Sequence, residues 1–269
     1  MRSMHEGLYE LGRVDAFALQ DTAVHRLDPR AKVLATAVFL LCVVSFQRYA
    51  VIPLAPFVLF PVMMAGAGRL PFSWLASRLL VAAPFALMVG MFNPLLDRAE
   101  VTILGATVAA GWISYLSIVA RFALTTAAAL ALVGTTGMHG VCAALERMFV
   151  PDVFVVQLLF LYRYIFVLAE EGMRMSRARD LRSFGRRGRG LAVFGNILGH
   201  LLLRTFARAQ RIHSAMQLRG FDGHVRSRRA LRFGGRDAAF LAVWSALFVT
   251  LRLFDLPELL GRLIVGAVS

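Results

Sequence analysis

Residues 33–46 read VLATAVFLLCVVSF, an apolar run that only Thr36 and Ser45 interrupt. A helix that crosses a bilayer needs about 20 mostly apolar residues, because each residue adds about 1.5 Å to a path of about 30 Å. Further apolar runs follow along the chain, so the sequence predicts an all-α, polytopic membrane protein with about five transmembrane helices. We place these helices at about residues 31–48, 50–68, 74–92, 110–134 and 237–254.

The longest apolar run, residues 101–133, exceeds the length of one span. We therefore expect a tilted or interfacial piece before the fourth span. The tail at residues 256–268 is apolar but short, and we expect it to lie along the interface. Arg121 lies inside the fourth span, where an arginine facing lipid is costly. We expect its side chain to reach the outer interface, with a buried functional arginine as the alternative.

The composition of the 269 residues agrees with a membrane protein. Hydrophobic residues make up 58% and charged residues 17%, whereas soluble domains have about 45–50% and about 25%. One soluble core cannot bury this excess, which argues against a simple soluble enzyme and against a disordered chain.

Positive charge is concentrated in one part of the chain. The net charge is +14, and residues 139–236 carry +12 of it, with 18 basic and 6 acidic residues. Because basic segments beside spans stay in the cytoplasm, we expect the N-terminus and residues 137–236 to be cytoplasmic. The predicted parts are a cytoplasmic N-terminal segment (1–30), transmembrane helices 1–4 (31–136), a cytoplasmic coupling-helix region (137–236), and the last transmembrane helix with the tail (237–269).

Two long helices are predicted within this basic region. The first has about 30 residues, is apolar over 153–168, and then becomes charged, with Glu170 and Arg174 one turn apart. The second begins near Leu191 and ends at Gly220. Its apolar residues recur at helical spacing, which predicts an amphipathic helix. They are Leu198, Leu202, Phe206, Ala209, Ile212 and Met216.

The two predicted helices have similar ends, and each end presents an arginine. The first closes with Ala178, Arg179 and Asp180, and the second with Leu218, Arg219 and Gly220. An arginine offers a rigid, always-charged fork that binds carboxylates and carbonyl oxygens. Docking of both ends on a partner protein is one interpretation. The other is that Arg179 and Arg219 are ordinary basic surface residues.

Catalytic and metal-binding motifs are absent from the sequence. It contains no H-E-x-x-H, no G-x-S-x-G, no Walker A loop and no dinucleotide fingerprint. The six histidines are scattered, and Cys42 and Cys142 lie 100 residues apart, which predicts neither a disulfide framework nor a thiolate metal site. Two other classes stay open. One is an integral membrane enzyme, and the other is a membrane-anchored nucleic-acid-binding protein that uses the basic loop at residues 185–190, although a loop facing anionic lipid fits better.

Three stretches together resemble one known family. Residues 25–32 read HRLDPRAK, residues 163–179 read RYIFVLAEEGMRMSRAR, and residues 215–223 read AMQLRGFDG. In this order they resemble the T component of energy-coupling factor (ECF) transporters, and within that family the cobalt-type CbiQ member. The resemblance covers residues 21–254, nearly the whole chain.

The resemblance implies a scaffold in a bacterial inner-membrane importer for cobalt, with nickel as the alternative. It implies that two long cytoplasmic helices cross and that each ends in an Ala-Arg-Gly signature that docks on an ATPase subunit. Here the signatures are Ala178-Arg179-Asp180 and Leu218-Arg219-Gly220, in which Asp180 replaces Gly and Leu218 replaces Ala.

The resemblance also assigns the chemistry to partners. It implies an ABC-type ATPase dimer similar to CbiO, which binds ATP and Mg²⁺. It further implies a substrate-binding S component similar to CbiM, with or without a CbiN-like subunit, which binds the cobalt. The chain itself is then expected to bind no cofactor, to carry no catalytic residue and to bind no nucleic acid, with the lipid bilayer as its surroundings.

Overall fold

A computed structural model describes residues 12, 15–47, 51–96, 100–103, 106–148, 150–182, 190–223 and 233–253. Several predicted features lie outside these residues: most of residues 1–14, the basic loop except Gly190, and the tail at 256–268. The described helices are α1 (Pro29–Val44), a 3₁₀ helix (Ile52–Val58), α2 (Leu59–Ala67), α3 (Phe72–Gly90), α4 (Asn93–Leu96), α5 (Ala110–Arg147), α6 (Asp152–Arg182), α7 (Leu191–Leu218) and α8 (Gly235–Leu253).

Each predicted span coincides with a helix, which confirms the helical fold class. Three described helices are long and apolar enough to cross a membrane: Phe72–Gly90, Gly111–Arg147 and Asp152–Arg182. The first two match predicted spans. The third differs from the prediction, which placed that helix wholly in the cytoplasm.

The other three predicted spans fall short of these requirements for separate reasons. Helix α1 has 16 residues, about 24 Å at 1.5 Å each. The second span is divided, because prolines interrupt the chain and residues 52–58 adopt a 3₁₀ helix with Pro56 inside it. Helix α8 has 19 residues but includes Arg236, Asp237 and Arg252. The number of spans therefore stays a prediction.

One part of the fold is not helical. Glu100–Ile103 (β1) and Ala106–Ala109 (β2) form an antiparallel ribbon in which Glu100 pairs with Ala109. A separate piece thus precedes the fourth span, and it is a strand pair; its placement at the interface stays a prediction. β-Branched residues are frequent in this stretch and favour strand over helix.

The chain divides into two compact units. One comprises residues 1–13 and 142–230, and we call it the two-helix unit because α6 and α7 lie in it. The other comprises residues 14–141 and 231–269, and we call it the bundle unit.

Aromatic side chains form the core of the bundle unit. Phe39 of α1, Phe60 of α2 and Phe248 of α8 lie with ring centroids 5.0–5.2 Å apart. All three are almost fully buried. Such contacts add to the free energy gained by removing the rings from water or lipid. They fix α1 and α8 side by side.

Polar contacts at both ends of α1 show how the helices of the bundle unit are oriented. At its start, the Asp28 N–H donates to Asp237 Oδ1 of α8 at 2.8 Å. At its end, Arg252 of α8 donates to the Ser45 carbonyl at 3.0 Å. Helices α1 and α8 are therefore parallel. Lys32, near the start of α1, donates to the Thr135 carbonyl far along α5, whereas Arg121, nearer the start of α5, donates to the Gln47 carbonyl just after α1. Helix α5 therefore runs antiparallel to both.

Helix α5 contains a break near its C-terminal end, which the sequence analysis places on the cytoplasmic side. Gly137 has φ 68° and ψ 160°, which no helix accommodates. A Cβ at this position would lie 2.9 Å from the Cβ of Ala18. Glycine is the residue that adopts such a conformation without a steric cost. The break leaves carbonyls of the preceding turn without their usual helical partners.

Candidate docking site on the two long helices

The first arginine signature lies in the last turns of α6. Ala178 and Asp180 are exposed, and Arg179 is half-buried. The helix continues past Asp180 to Arg182 and has 31 residues, which confirms the predicted length of about 30. Aspartate has a Cβ and disfavours the left-handed backbone that ends many helices, so this position continues the helix.

The second signature ends α7 in a different way. Gly220 has φ +77°, its N–H donates to the Gln217 carbonyl at 3.0 Å, and the Phe221 N–H donates to the Met216 carbonyl at 3.0 Å. This pair of bonds is the Schellman motif, which needs a left-handed residue after the helix. The predicted end of this helix at Gly220 is confirmed, and Arg219 forms its C-cap.

The two arginines differ in their electrostatic surroundings. Arg179 donates from Nη2 and Nε to Asp180 Oδ1, at 2.7 and 3.1 Å. Among the described residues, the side chain of Arg219 has no hydrogen bond or ion pair, and neighbouring Leu218 is 90% exposed. The second helix end therefore presents a guanidinium that is unpaired within the described part of the chain, while the first presents one that Asp180 neutralises. An exposed leucine lies near each, Leu218 and Leu181.

Ion pairs connect the two helices some distance from these ends. Arg204 of α7 donates to Glu171 of α6 at 2.8 Å. Arg174 lies 3.6 Å from Glu171 and 3.8 Å from Glu170, so the predicted pairing of Glu170 with Arg174 on one helix face is confirmed. Exposed pairs of this kind contribute about 0–1 kcal/mol each. Of these pairs, Arg204–Glu171 is the one that joins α7 to α6, since the two Arg174 pairs lie within α6.

The predicted apolar face of α7 is present but largely uncovered. Leu198, Leu202 and Phe206 are each more than half exposed. A contiguous apolar face on a helix marks a surface that contacts a protein partner or lipid. Together with the two arginines, this face makes the two-helix unit a candidate binding surface. Among the residues the structure describes, no group of His, Cys, Asp and Glu is arranged to hold a metal ion.

Sequence reasoning missed the residues that anchor the start of α1. Asp28 caps this helix by accepting from the Arg30 N–H at 2.9 Å, and Pro29 takes the first helical position. Lys32 is buried and donates from Nζ to the Thr135 carbonyl of α5 at 3.0 Å. The Asp-Pro pattern is a local sequence signal that could have identified the helix cap. The contact of Lys32 with Thr135 spans 103 residues and has no local sequence signal.

Comparison with known proteins gives a consistent result. A family model described as cobalt transport protein, CbiQ, matches residues 20–231. The energy-coupling factor transporter transmembrane protein EcfT of Bacillus selenitireducens is 29% identical over 83% of this chain and 90% of its own length.

Two further relatives match over shorter regions. The cobalt transport protein CbiQ of Rhodobacter capsulatus is 31% identical over 35% of this chain and 39% of its own length. The nickel permease LarQ of Lactiplantibacillus plantarum is 27% identical over 43% of this chain and 41% of its own length. The alignments thus span less than half of these two relatives. The family model covers most of the chain and confirms the resemblance drawn from the three motifs, so the chain belongs to the CbiQ family of cobalt transport proteins.

Proposed function

We propose that this chain is the T component of an ECF importer for cobalt in a bacterial inner membrane. It is not an enzyme in this proposal, and it couples ATP hydrolysis in two ABC-type ATPase subunits to movement of a substrate-binding S component. The observation that carries the proposal is the end of α7, where Arg219 is unpaired among the described residues beside the exposed Leu218. A surface with a free guanidinium and an adjacent apolar group is suited to a partner's groove.

The two signatures dock differently in this proposal. Arg219 is free to form a bidentate contact with a carboxylate or with carbonyl oxygens of an ATPase subunit. Arg179 has to break its ion pair with Asp180 before it can bind the partner. Because Asp180 is exposed and Arg179 is partly exposed, water screens this pair and the exchange costs about 0–1 kcal/mol. The two sites therefore bind with different affinities.

Contacts between α6 and α7 supply the transmission step. Movement of the docked end of α7 reaches α6 through the Arg204–Glu171 pair and through packing along the helices. The uncovered apolar face at Leu198, Leu202 and Phe206 is the proposed contact with the other membrane partners. Coupling of this kind requires an element with two arrangements that both partners bias, and we assign that role to the α6–α7 pair.

Helix directions within the bundle unit support the proposed topology. Parallel α1 and α8 with antiparallel α5 agree with the proposed order of spans, in which α1 and α8 cross in one direction and α5 in the other. The basic region, with a net charge of +12 over residues 139–236, favours the cytoplasmic side.

The docking role is tested by charge reversal at each helix end. The chain is co-expressed with the ATPase and S-component subunits, purified through an affinity tag in mild detergent, and assayed for cobalt uptake in cells. Arg219→Glu is expected to reduce ATPase retention at least about thirtyfold, since loss of one partner of a desolvated charge pair costs about 2 kcal/mol or more. Arg179→Glu is expected to have a smaller effect.

Arg211→Glu is the matched control, because Arg211 is exposed on the same helix. It should retain the ATPase subunits and the uptake activity of the unaltered chain. Retention of the ATPase subunits and of uptake by the double variant Arg179→Glu/Arg219→Glu would show that the assigned docking residues are wrong.

Nickel is the alternative substrate, favoured by the similarity to the nickel permease LarQ. Cobalt is preferred here because the family model and the Rhodobacter capsulatus relative are both described as cobalt transport proteins. Measuring cellular cobalt and nickel in the presence of the cognate S component separates the two. Accumulation of nickel alone would overturn the cobalt assignment while leaving the coupling role intact.

A further inference from the structure

Two arginines meet the end of α1 on the side of the bundle unit away from Asp28. Arg252 of α8 donates to the Ser45 carbonyl at 3.0 Å and to Ser45 Oγ at 3.3 Å, and its guanidinium carbon lies 4.8 Å from the centre of the Phe46 ring. Arg121 of α5 donates to the Gln47 carbonyl. Two positive charges are thus held at carbonyls only two residues apart.

The donors of these arginines are incompletely used. Each guanidinium has five N–H donors, yet within the described residues neither arginine pairs with a carboxylate. Arg121 Nε is buried and has no hydrogen-bond partner there. A buried donor left without a partner is destabilising. The two arginines therefore form a cationic site with open capacity for an anion.

An apolar groove begins beside Arg121. Its volume is about 400 Å³. Ala120, directly before Arg121, and Leu124, one turn after it, both line the groove. Ala123 of the same helix, Leu54 of the 3₁₀ helix and Leu75 of α3 line it as well. Val51, four residues beyond Gln47, lines it as well. The cationic site and the groove are thus adjacent.

We propose that the cationic site and the groove together bind an anionic phospholipid, with its phosphate at Arg121 and Arg252 and one acyl chain in the groove. An amphiphile is the ligand class that supplies both an anion and a long apolar chain, and arginine guanidinium groups bind phosphate through charge-assisted hydrogen bonds. A polypeptide helix is about 10 Å across, so a groove with a volume of about 400 Å³ would hold roughly one turn of such a helix. Under the proposed topology the site faces the outer leaflet.

The test uses the purified full chain in mild detergent and measures retained lipid by native mass spectrometry. Phosphatidylglycerol is the anionic probe and phosphatidylcholine of equal chain length is the neutral one. The unaltered chain should bind phosphatidylglycerol about tenfold more tightly, which corresponds to one charge-assisted hydrogen bond. Arg121→Gln/Arg252→Gln should remove this preference, whereas Arg121→Lys/Arg252→Lys should keep most of it. Arg236→Gln, an exposed position at the other end of α8, is the matched control and should bind like the unaltered chain.

The groove is tested separately from the charge. Ala123→Leu narrows it and should weaken phosphatidylglycerol binding severalfold, and a dihexanoyl phosphatidylglycerol should bind the unaltered chain more weakly than a dipalmitoyl one. The chain-length comparison needs no variant, so it holds even if Ala123→Leu fails to fold. Equal binding of the two head groups, equal binding of the two chain lengths, or the same stabilisation by free glycerol phosphate would overturn the proposal. So would photo-crosslinking from position 123 that captures a polypeptide instead of lipid.

Discussion

Lys32 is the residue whose removal should affect the bundle unit most clearly. It is the only lysine in the sequence and is 1% exposed. Its Nζ donates to the Thr135 carbonyl at 3.0 Å, two residues before the break at Gly137. Lys32 therefore caps the first part of α5, where the break leaves carbonyls without helical partners and where a positive charge is favourable.

The expected cost of Lys32→Met follows from these contacts. Methionine keeps an unbranched apolar side chain of similar length, so little packing is lost. A hydrogen bond from a charged group contributes about 1.5–3 kcal/mol, and the charge at the helix end adds about 0.3–1 kcal/mol. We expect the free energy of unfolding to fall by about 2–4 kcal/mol, and the midpoint of thermal unfolding to fall on the order of 10 °C.

The assay is thermal and denaturant unfolding of the detergent-solubilised chain, followed by tryptophan fluorescence. A second readout uses the single lysine directly. An amine-reactive reagent can modify only Lys32 and the N-terminal amine, so peptide mass spectrometry reports how often Lys32 becomes accessible. In the folded chain this modification should be slow, and it should accelerate together with unfolding.

Arg236→Met is the control, since it also removes one positive charge but at an exposed position of the bundle unit. Its effect should stay within about 0.5 kcal/mol. If Lys32→Met unfolds within 1 kcal/mol of the unaltered chain, or if Lys32 is modified as fast as a lysine in a peptide, the capping role assigned here is incorrect.

Two further predictions concern the same unit. Gly137→Ala forces a Cβ into a left-handed backbone and should lower the free energy of unfolding by about 1–2 kcal/mol. Gly199→Ala, in the interior of α7 with open space around it, should raise it by about 0.5–1 kcal/mol. Equal effects of the two variants on the free energy of unfolding would contradict the break at Gly137. Burial, and then the charge of Lys32, lower the pKa of His25, so its protonation favours the unfolded state. The free energy of unfolding should therefore fall as pH drops through about 6.5. His25→Gln should flatten this dependence of the free energy of unfolding on pH, measured by unfolding titrations. His200→Gln, at an exposed position, is the control and should leave the dependence unchanged.

The sequence patterns located the helices well because helix formation is a local property. Apolar runs and helical spacing placed α3, α5, α7 and α8, and Gly220 marked the end of α7, where its positive φ is required. The ribbon at residues 100–109 was missed. An apolar run does not distinguish a buried helix from a short strand pair, and only the β-branched residues pointed to strands.

Long-range contacts could not be predicted in the same way. Lys32 reaches Thr135 across 103 residues, and Asp28 reaches Asp237 across 209. No spacing rule relates such positions, because the contacts depend on how the helices pack. The sequence already showed Asp180 directly beside Arg179. The prediction nevertheless treated the ends of the two helices as similar. The substitution of Gly by Asp at position 180 is what makes these ends differ.

This difference has a consequence for the proposed coupling. Arg179 is held by Asp180 at 2.7 Å, and the exchange of that pair for a partner costs about 0–1 kcal/mol. Arg219 has no such competitor among the described residues. Both ends expose a leucine near the arginine, Leu218 at 90% and Leu181 at 83%, so burial of these side chains contributes similarly to both contacts. The end of α7 should thus bind an ATPase subunit more tightly than the end of α6, by up to about 1 kcal/mol. Two ATPase subunits of identical sequence would then occupy unequal sites, so the weaker α6 contact is the one expected to release first when the nucleotide state changes.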